Sequence, residues 1–443
     1  MKNSSKQSVK MDMLHGSLFD KMLMFAMPLA ACSILQQLFN SVGTAVVGRF
    51  ANSEALAAVG SNSSVIALMV TLFSGISLGS NVVIANYIGQ NDTKRIPRVV
   101  HTAVSLALLS GVFLLILGQF VAHPILLLMG APKDIIHLAT LYLRIYFLGM
   151  PFFMLYDFGA SILRSIGDTR RPMYALIVSG VVNVILNLLF VVVFHMGVAG
   201  AALATLISRV FCAVVVLAQL RQDRQPIVVR DYLKIRPDFR MIRRILSIGI
   251  PSGVENSMFQ LGKLAIQSTV SLMGTAAIAA QGMTNIIENL NGIMSIGMGI
   301  GLMTVVGECL GAGEKEEAVY YIKKISIAAE VVLIATCLLM FGLTYPITYF
   351  GGMEPESAKL CIFMVTCITI VKPIVWIMAF IPPYGFRAAG DVRFTMTTSM
   401  LCMWFCRVVL AMVLARVFHM GPIAVWIGMF TDWTIRGIIY TIR

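Results

Sequence analysis

Apolar runs long enough to cross a bilayer, separated by short connections, recur along almost the whole chain, and this limits what it can fold into. About 20 apolar residues in a helix span the ~30 Å hydrocarbon core, and a helix satisfies its backbone hydrogen bonds within itself. Twelve spans follow from the pattern, at 18–43, 54–87, 98–121, 135–162, 172–195, 199–220, 241–272, 275–308, 318–345, 357–386, 392–418 and 421–441. Of the 443 residues 58% are hydrophobic and only 12% charged, about half the charged share of a soluble domain. No polar segment is long enough to bury a core of its own. The fold class is therefore an all-α integral membrane protein with twelve transmembrane helices.

A net charge of +13 would point to nucleic acid in a soluble protein. Here the basic residues gather in alternate connections. Lys94, Arg95 and Arg98 follow the second span, Arg164, Arg170 and Arg171 the fourth, and a run from Arg221 to Arg244 the sixth. The odd connections hold little beyond Arg49, Lys133, Lys359 and Arg416. By the positive-inside rule, both termini and the linker 221–240 face the cytoplasm of a cell membrane. The polar stretch before the first span reads as a cytoplasmic tail, and that span as an uncleaved anchor. No nucleic acid is expected as a partner.

The eight Cys form no CxxC pair, and the six His fall in no metal-ligand spacing, so no cofactor is expected. A GxxxxGK[ST] loop is also absent from the sequence, which argues against direct ATP drive.

The linker divides the chain near its middle, and the halves repeat. Ala57–Gly60 matches Ala279–Gly282, and Tyr87–Gln90 matches Cys309–Ala312, both at an offset of 222. Pro28 matches Pro251, and Arg164-Ser-Ile-Gly-Asp-Thr-Arg170 matches Arg387-Ala-Ala-Gly-Asp-Val-Arg393, at 223. Val193–Gly197 matches Val417–Gly421 at 224. The domains expected are an N-terminal lobe (1–220), the linker (221–240) and a C-terminal lobe (241–443). Six spans in each half give both lobes the same orientation, hence a pseudo-twofold along the membrane normal. Two such lobes facing a cleft suit an alternating-access carrier. A monomer is expected, and no catalytic constellation points to an enzyme.

Charges kept inside the spans mark the candidate site, because each is costly in hydrocarbon. Glu255 and Glu288 both fall about 20 Å into their spans at a 1.5 Å rise per residue. Gln281, Asn285, Glu288, Asn289 and Gly292 form one polar stripe in the eighth span. Asn256, Gln260, Lys263 and Gln267 form another in the seventh, and Gln37 and Asn40 echo it in the first. Deep cations follow at Lys263, Lys372 and Arg407. Two readings stand side by side: a site at Glu255 or Glu288 that binds H+ or Na+ in a transport cycle, or buried ion pairs that fix helix packing. Asp157 is a further candidate acid. Asp168 and Asp391 read as helix caps that pair with Arg.

The ordered segments Pro28 to Gln37-Leu-Phe-Asn40, Val47-Gly-Arg-Phe50, Leu56–Gly60, Leu163–Met173 and Gly249-Ile-Pro-Ser-Gly253 resemble the multidrug and toxic compound extrusion (MATE) family over essentially the whole chain. The resemblance implies two six-helix lobes and export of cationic, amphipathic drugs in exchange for Na+ or H+. The family's first-helix Asp falls on Gly43 here, and its fifth-helix Asn-to-acid pair on Asn183 and Asn187, so the N-terminal proton site is not carried over. The family's seventh-helix carboxylate falls on Glu255, near which Na+ is expected. A flippase for lipids or lipid-linked precursors, a different class on a related fold, is the alternative.

Overall fold

The computed structural model describes residues 18–51, 53–128, 133–222, 227, 229 and 237–443, without the side chains of 39–42, 53 and 61. Most of the basic linker 221–240, and the side chain of Asn40, lie outside the described residues. Those residues are helical almost throughout and include no strand. The first half holds α1 (Leu18–Phe50), α2 (Ser53–Gly89), α3 (Arg95–Leu128), α4 (Ile136–Leu148), α5 (Met150–Arg164), α6 (Arg170–Asn187) and α7 (Gly197–Leu220). The second half holds α8 (Phe239–Val270), α9 (Thr275–Ala312), α10 (Lys315–Phe350), α11 (Pro355–Phe380), α12 (Pro382–Ala388), α13 (Val392–Leu401), α14 (Leu410–Arg416) and α15 (Ile423–Ile442).

One helix or one broken helix lies on each of the twelve expected spans. The fourth is split at Gly149, where α4 and α5 bend by 46°. Pro151 opens α5, and Gly111 of α3 lies so close that a Cβ there would sit 2.4 Å from the Pro151 Cα. The tenth breaks before Pro382-Pro383, where two successive residues lack a backbone N–H. Among the described residues nine helices are long and apolar enough to cross a bilayer unaided, and a tenth if α4 and α5 count as one. The two that fall short are α8 and α15, the spans most interrupted by charge: Glu255 and Lys263 in one, Asp432 and Arg436 in the other.

The backbone repeats as the sequence does. Left-handed residues pair as Asn91 with Gly313, Gly167 with Gly390, His195 with His419, and Gly197 with Gly421, at offsets of 222, 223, 224 and 224. The two histidines hold φ of 52° and 50°, a conformation few non-glycine residues adopt. Chance placement of such rare geometry at the same drifting offset is implausible.

The compact units do not follow chain order at two points. One comprises Ala31–Gly253, and the other 18–30 together with Val254–Arg443. Each breakpoint lies two residues beyond a member of the repeated proline pair, Pro28 and Pro251. The lobes expected at 1–220 and 241–443 thus differ from the compact units, which exchange the first parts of α1 and α8. Small residues account for this. In the first unit Gly75 and Gly79 of α2 cross Gly249 and Gly253 of α8, two GxxxG patterns face to face. A Cβ at Gly75 would lie 2.2 Å from the Gly253 Cα, and one at Gly253 would lie 2.2 Å from the Leu72 carbonyl oxygen. In the second unit the repeat equivalents Gly297 and Gly301 of α9 receive Ala26, Phe25 and Met22 of α1.

Gly75→Ala is expected to lower stability by about 1–3 kcal/mol, because backbone rather than a flexible side chain blocks the new methyl. Thermal unfolding in detergent measures it. Gly60→Ala on the same helix, with open space around the new atom, serves as the control. Equal melting of the two variants would show that α2 and α8 do not cross this closely.

Candidate functional site

In the second unit the carboxylates of Glu255, Glu288 and Asp432 each face a cation. Glu255, one of two acids singled out by depth, is 3% exposed and lies on α8. Its oxygen lies 2.9 Å from the guanidinium of Arg387. Arg387 belongs to the repeated Arg-x-x-Gly-Asp turn, so the partner of Glu255 comes from a segment read as a connection, not from Lys263, Lys372 or Arg407. Arg387 also packs over the Tyr384 ring at 5.1 Å.

Glu288 of α9 pairs with Lys372 of α11 at 2.6 Å. Lys372 is wholly buried, and its ammonium also donates to the Glu288 carbonyl at 3.0 Å and to the Asn291 side-chain oxygen. Gly292 makes this possible, since a Cβ there would stand 3.1 Å from the Lys372 Nζ. The Trp376 ring closes the other side, 4.9 Å from the ammonium. One turn and more back along α9, the Trp426 indole donates to Gln281 at 3.0 Å, and Gln281 donates to Asn285 at 3.4 Å. The α9 stripe is thus present, with Asn291 taking the buried place next to Lys372. Asn289 is exposed.

Arg407 lies in a π-helical stretch, Cys402–Val409, that joins α13 to α14. Such bulges are frequent at functional sites because the extra residue redirects a side chain. The backbone carbonyl of Arg407 approaches Gly428 of α15 so closely that a Cβ there would be 2.8 Å away. One turn on, Asp432 meets the Arg407 guanidinium at 2.8 Å, and one turn further Arg436 donates to both Asp432 oxygens. Asp432 is fully buried. Phe259 of α8 stacks between the two arginines, 5.7 Å from Arg407 and 4.9 Å from Arg436. On α8 itself Gln260 is half-buried and Lys263 exposed, with Glu288 and Arg407 as charged neighbours of Lys263.

A MatE family model matches residues 28–189 and again 251–413, so the repeat seen in sequence and backbone is the family's own. The chain belongs to the MatE family. It is 29% identical over 436 residues to the probable multidrug resistance protein YoeA of Bacillus subtilis, covering 97% of this chain and 94% of the relative. The probable multidrug resistance protein NorM of Thermotoga maritima is 25% identical over 425 residues, 95% of this chain and 90% of that one. A crystal structure of MATE in the straight conformation superposes with a TM-score of 0.89 at 21% identity, covering 99% of this chain and 97% of that chain. This MatE protein is accordingly a multi-pass membrane protein built from two copies of one helical unit.

The first unit of the MatE chain carries less charge. Asp157 of α5 is 9% exposed and faces the hydroxyls of Ser74 and Ser77, with Arg164 as its charged neighbour. Arg164 is the repeat equivalent of Arg387, so both repeated arginines face an acid, one from its own helix and one from α8. Asn187 donates to the side-chain and backbone oxygens of Asn183, each at 3.0 Å, and lies beside Gly43. The two positions at which the family's N-terminal acids are missing, Gly43 and Asn187, therefore meet in one place, beside the Asn183 that precedes the second. Gln37 is exposed on α1. Among the described residues no group of three His, Cys, Asp or Glu could hold a metal ion, and Arg387 stands against the Glu255 carboxylate near which Na+ was expected.

Asp432, Arg436, Asn291 and the role of Arg387 escaped the sequence reading. The first two left a signal: an acid and a base four apart inside the last apolar run, which the positional pattern of a helix places on one face. Arg209 of α7 left one too, as a lone base in an apolar span. Its guanidinium lies 4.6 Å from the Tyr146 ring and 4.4 Å from Phe153, and bonds the Tyr146 hydroxyl.

Proposed function

We propose that this MatE protein is a secondary active exporter of amphipathic, drug-like compounds, driven by Na+ or H+ moving inward. The observation that carries the reading is similarity over nearly the full length, through both repeats, to relatives described as multidrug resistance proteins. Buried ion pairs inside membrane-spanning helices supply a physical means of coupling. The two termini lie in the cytoplasm, as the basic connections indicate. A membrane potential near 100 mV then supplies roughly 2.3 kcal/mol per inward charge.

Coupling runs through Glu255. An ion that reaches its carboxylate competes with Arg387, and release of Arg387 frees α12 from α8. A differential interaction of this kind is what lets an ion bias one conformation over another. The exposed charge on the α8 stripe is a lysine, Lys263, which bears on the cationic character expected of the substrate.

Efflux of norfloxacin from everted vesicles, with Na+ and pH gradients varied independently, tests the proposal. Dependence on one gradient identifies the coupling ion, and dependence on neither removes the antiport reading. Glu255→Gln is expected to cut gradient-driven efflux by at least about tenfold, the scale of one lost coupling interaction. Full efflux in that variant would place the coupling ion elsewhere.

A further inference from the structure

The charges of the second unit do not balance around Lys263. Glu288 is shared by Lys372 and Lys263, and Asp432 by Arg407 and Arg436. Arg407 joins the two groups, since it is a charged neighbour of both Lys263 and Glu288. Four cations therefore face Glu288 and Asp432 across α8, α9, α11, the π turn and α15, and Glu255, also a charged neighbour of Arg436, brings its own cation Arg387, so an excess of two positive charges stands. Glu330 of α10, which has Cys337 as a neighbour in common with Lys372 and Glu288, narrows the excess without removing it. Three of the cations are buried: Lys372, Arg407 and Arg436 are 0%, 4% and 2% exposed. Each already holds a carboxylate at hydrogen-bonding distance.

Lys263 differs from them. It is exposed, on the same face of α8 as Gln260 and Gln267, three residues before and four after it, whose amides can donate beside an ammonium. An excess of positive charge held in a low-dielectric interior is relieved by an anion and worsened by a cation. Of these four cations the one that a ligand can reach is thus Lys263, flanked by amides and backed by buried guanidinium and ammonium groups.

We infer that Lys263 binds an anionic group, a carboxylate or phosphate-like anion, of the molecule this MatE protein carries. The inference rests on the exporter reading and specifies its substrate: acidic or zwitterionic amphiphiles rather than simple cations. Lys263 lies eight residues from Glu255 on α8, about 12 Å along the helix, so the anion and the coupling ion use different groups.

Norfloxacin and its methyl ester differ by the carboxylate alone and make the test. With the purified protein in detergent, norfloxacin is expected to raise the melting temperature with an apparent affinity at least about tenfold above that of the ester, the scale of one charged partner. Lys263→Gln should abolish the difference and Lys263→Arg should keep it. Inorganic phosphate identifies the source of the anion: if it displaces norfloxacin the site accepts a free anion, and if it does not the organic body is required too. Equal binding of acid and ester, no binding of either, or an unchanged preference in Lys263→Gln overturns the inference. Efflux in vesicles separates it from the function: carboxylate-dependent binding without efflux removes the exporter reading and leaves the anion site standing.

Discussion

Asp432→Asn is expected to cost about 3–5 kcal/mol of stability, because it leaves a buried charge arrangement without its anion. The substitution preserves shape, so packing is little disturbed and the loss is electrostatic. Arg407 and Arg436, both almost wholly buried, then face each other across a neutral amide. Arg407→Met is expected to cost less than Asp432→Asn, since Asp432 keeps Arg436 through two hydrogen bonds. Asp391→Asn is the comparison at the other extreme. Its partner Arg443 is 56% exposed, and exposed pairs contribute about 0–1 kcal/mol. Thermal unfolding of the three variants in one detergent gives the order. If Asp432→Asn melts with Asp391→Asn, the two arginines do not depend on Asp432, and the α15 charges are solvated.

The helices, their number and the twofold repeat were legible in the sequence because hydropathy and glycine placement are local signals. Left-handed backbone at His195 and His419 falls within the repeated Val-Phe-His-Met-Gly motif itself. The carboxylates at 255 and 288 were legible for the same reason: a charge in an apolar run is visible without knowing its neighbours. Lys372, the partner of Glu288, was likewise visible as a deep cation, but the partner of Glu255 was not. Arg387 is four residues from Asp391 in a motif that reads as a connection, yet the break before Pro382-Pro383 carries it back to α8. Asp432 and Arg436 were visible as charges but lie at the end of the chain, where α15 reads as one more apolar span. The exchange of α1 and α8 between the compact units was hidden as well. It depends on the approach of Gly75 to Gly253 and of Gly79 to Gly249, 178 and 170 positions apart, and pairing at that separation leaves no local trace.

Lys372→Met is expected to cost about 3–5 kcal/mol, and the double variant Lys372→Met with Glu288→Met to recover most of it. Removing the ammonium alone strands three acceptors at once: the Glu288 carboxylate, its backbone carbonyl and the Asn291 side chain. Glu288 is only 14% exposed at its side chain, so water replaces little of what is lost. Replacing both charges by apolar side chains of similar length removes the unpaired carboxylate, and methionine adapts to the space beside Trp376. The coupling energy of this cycle measures the pair directly, free of the packing changes common to the single variants. A strongly positive recovery means that the ion pair is dispensable for holding α9 against α11, and its retention then belongs to transport. A double variant as unstable as Lys372→Met alone would assign the loss to Asn291 and the α9 carbonyl. In that case Glu288 is a passive neighbour of Lys372, and the charge excess around Lys263 comes from a lysine held by α9 backbone and amide oxygens.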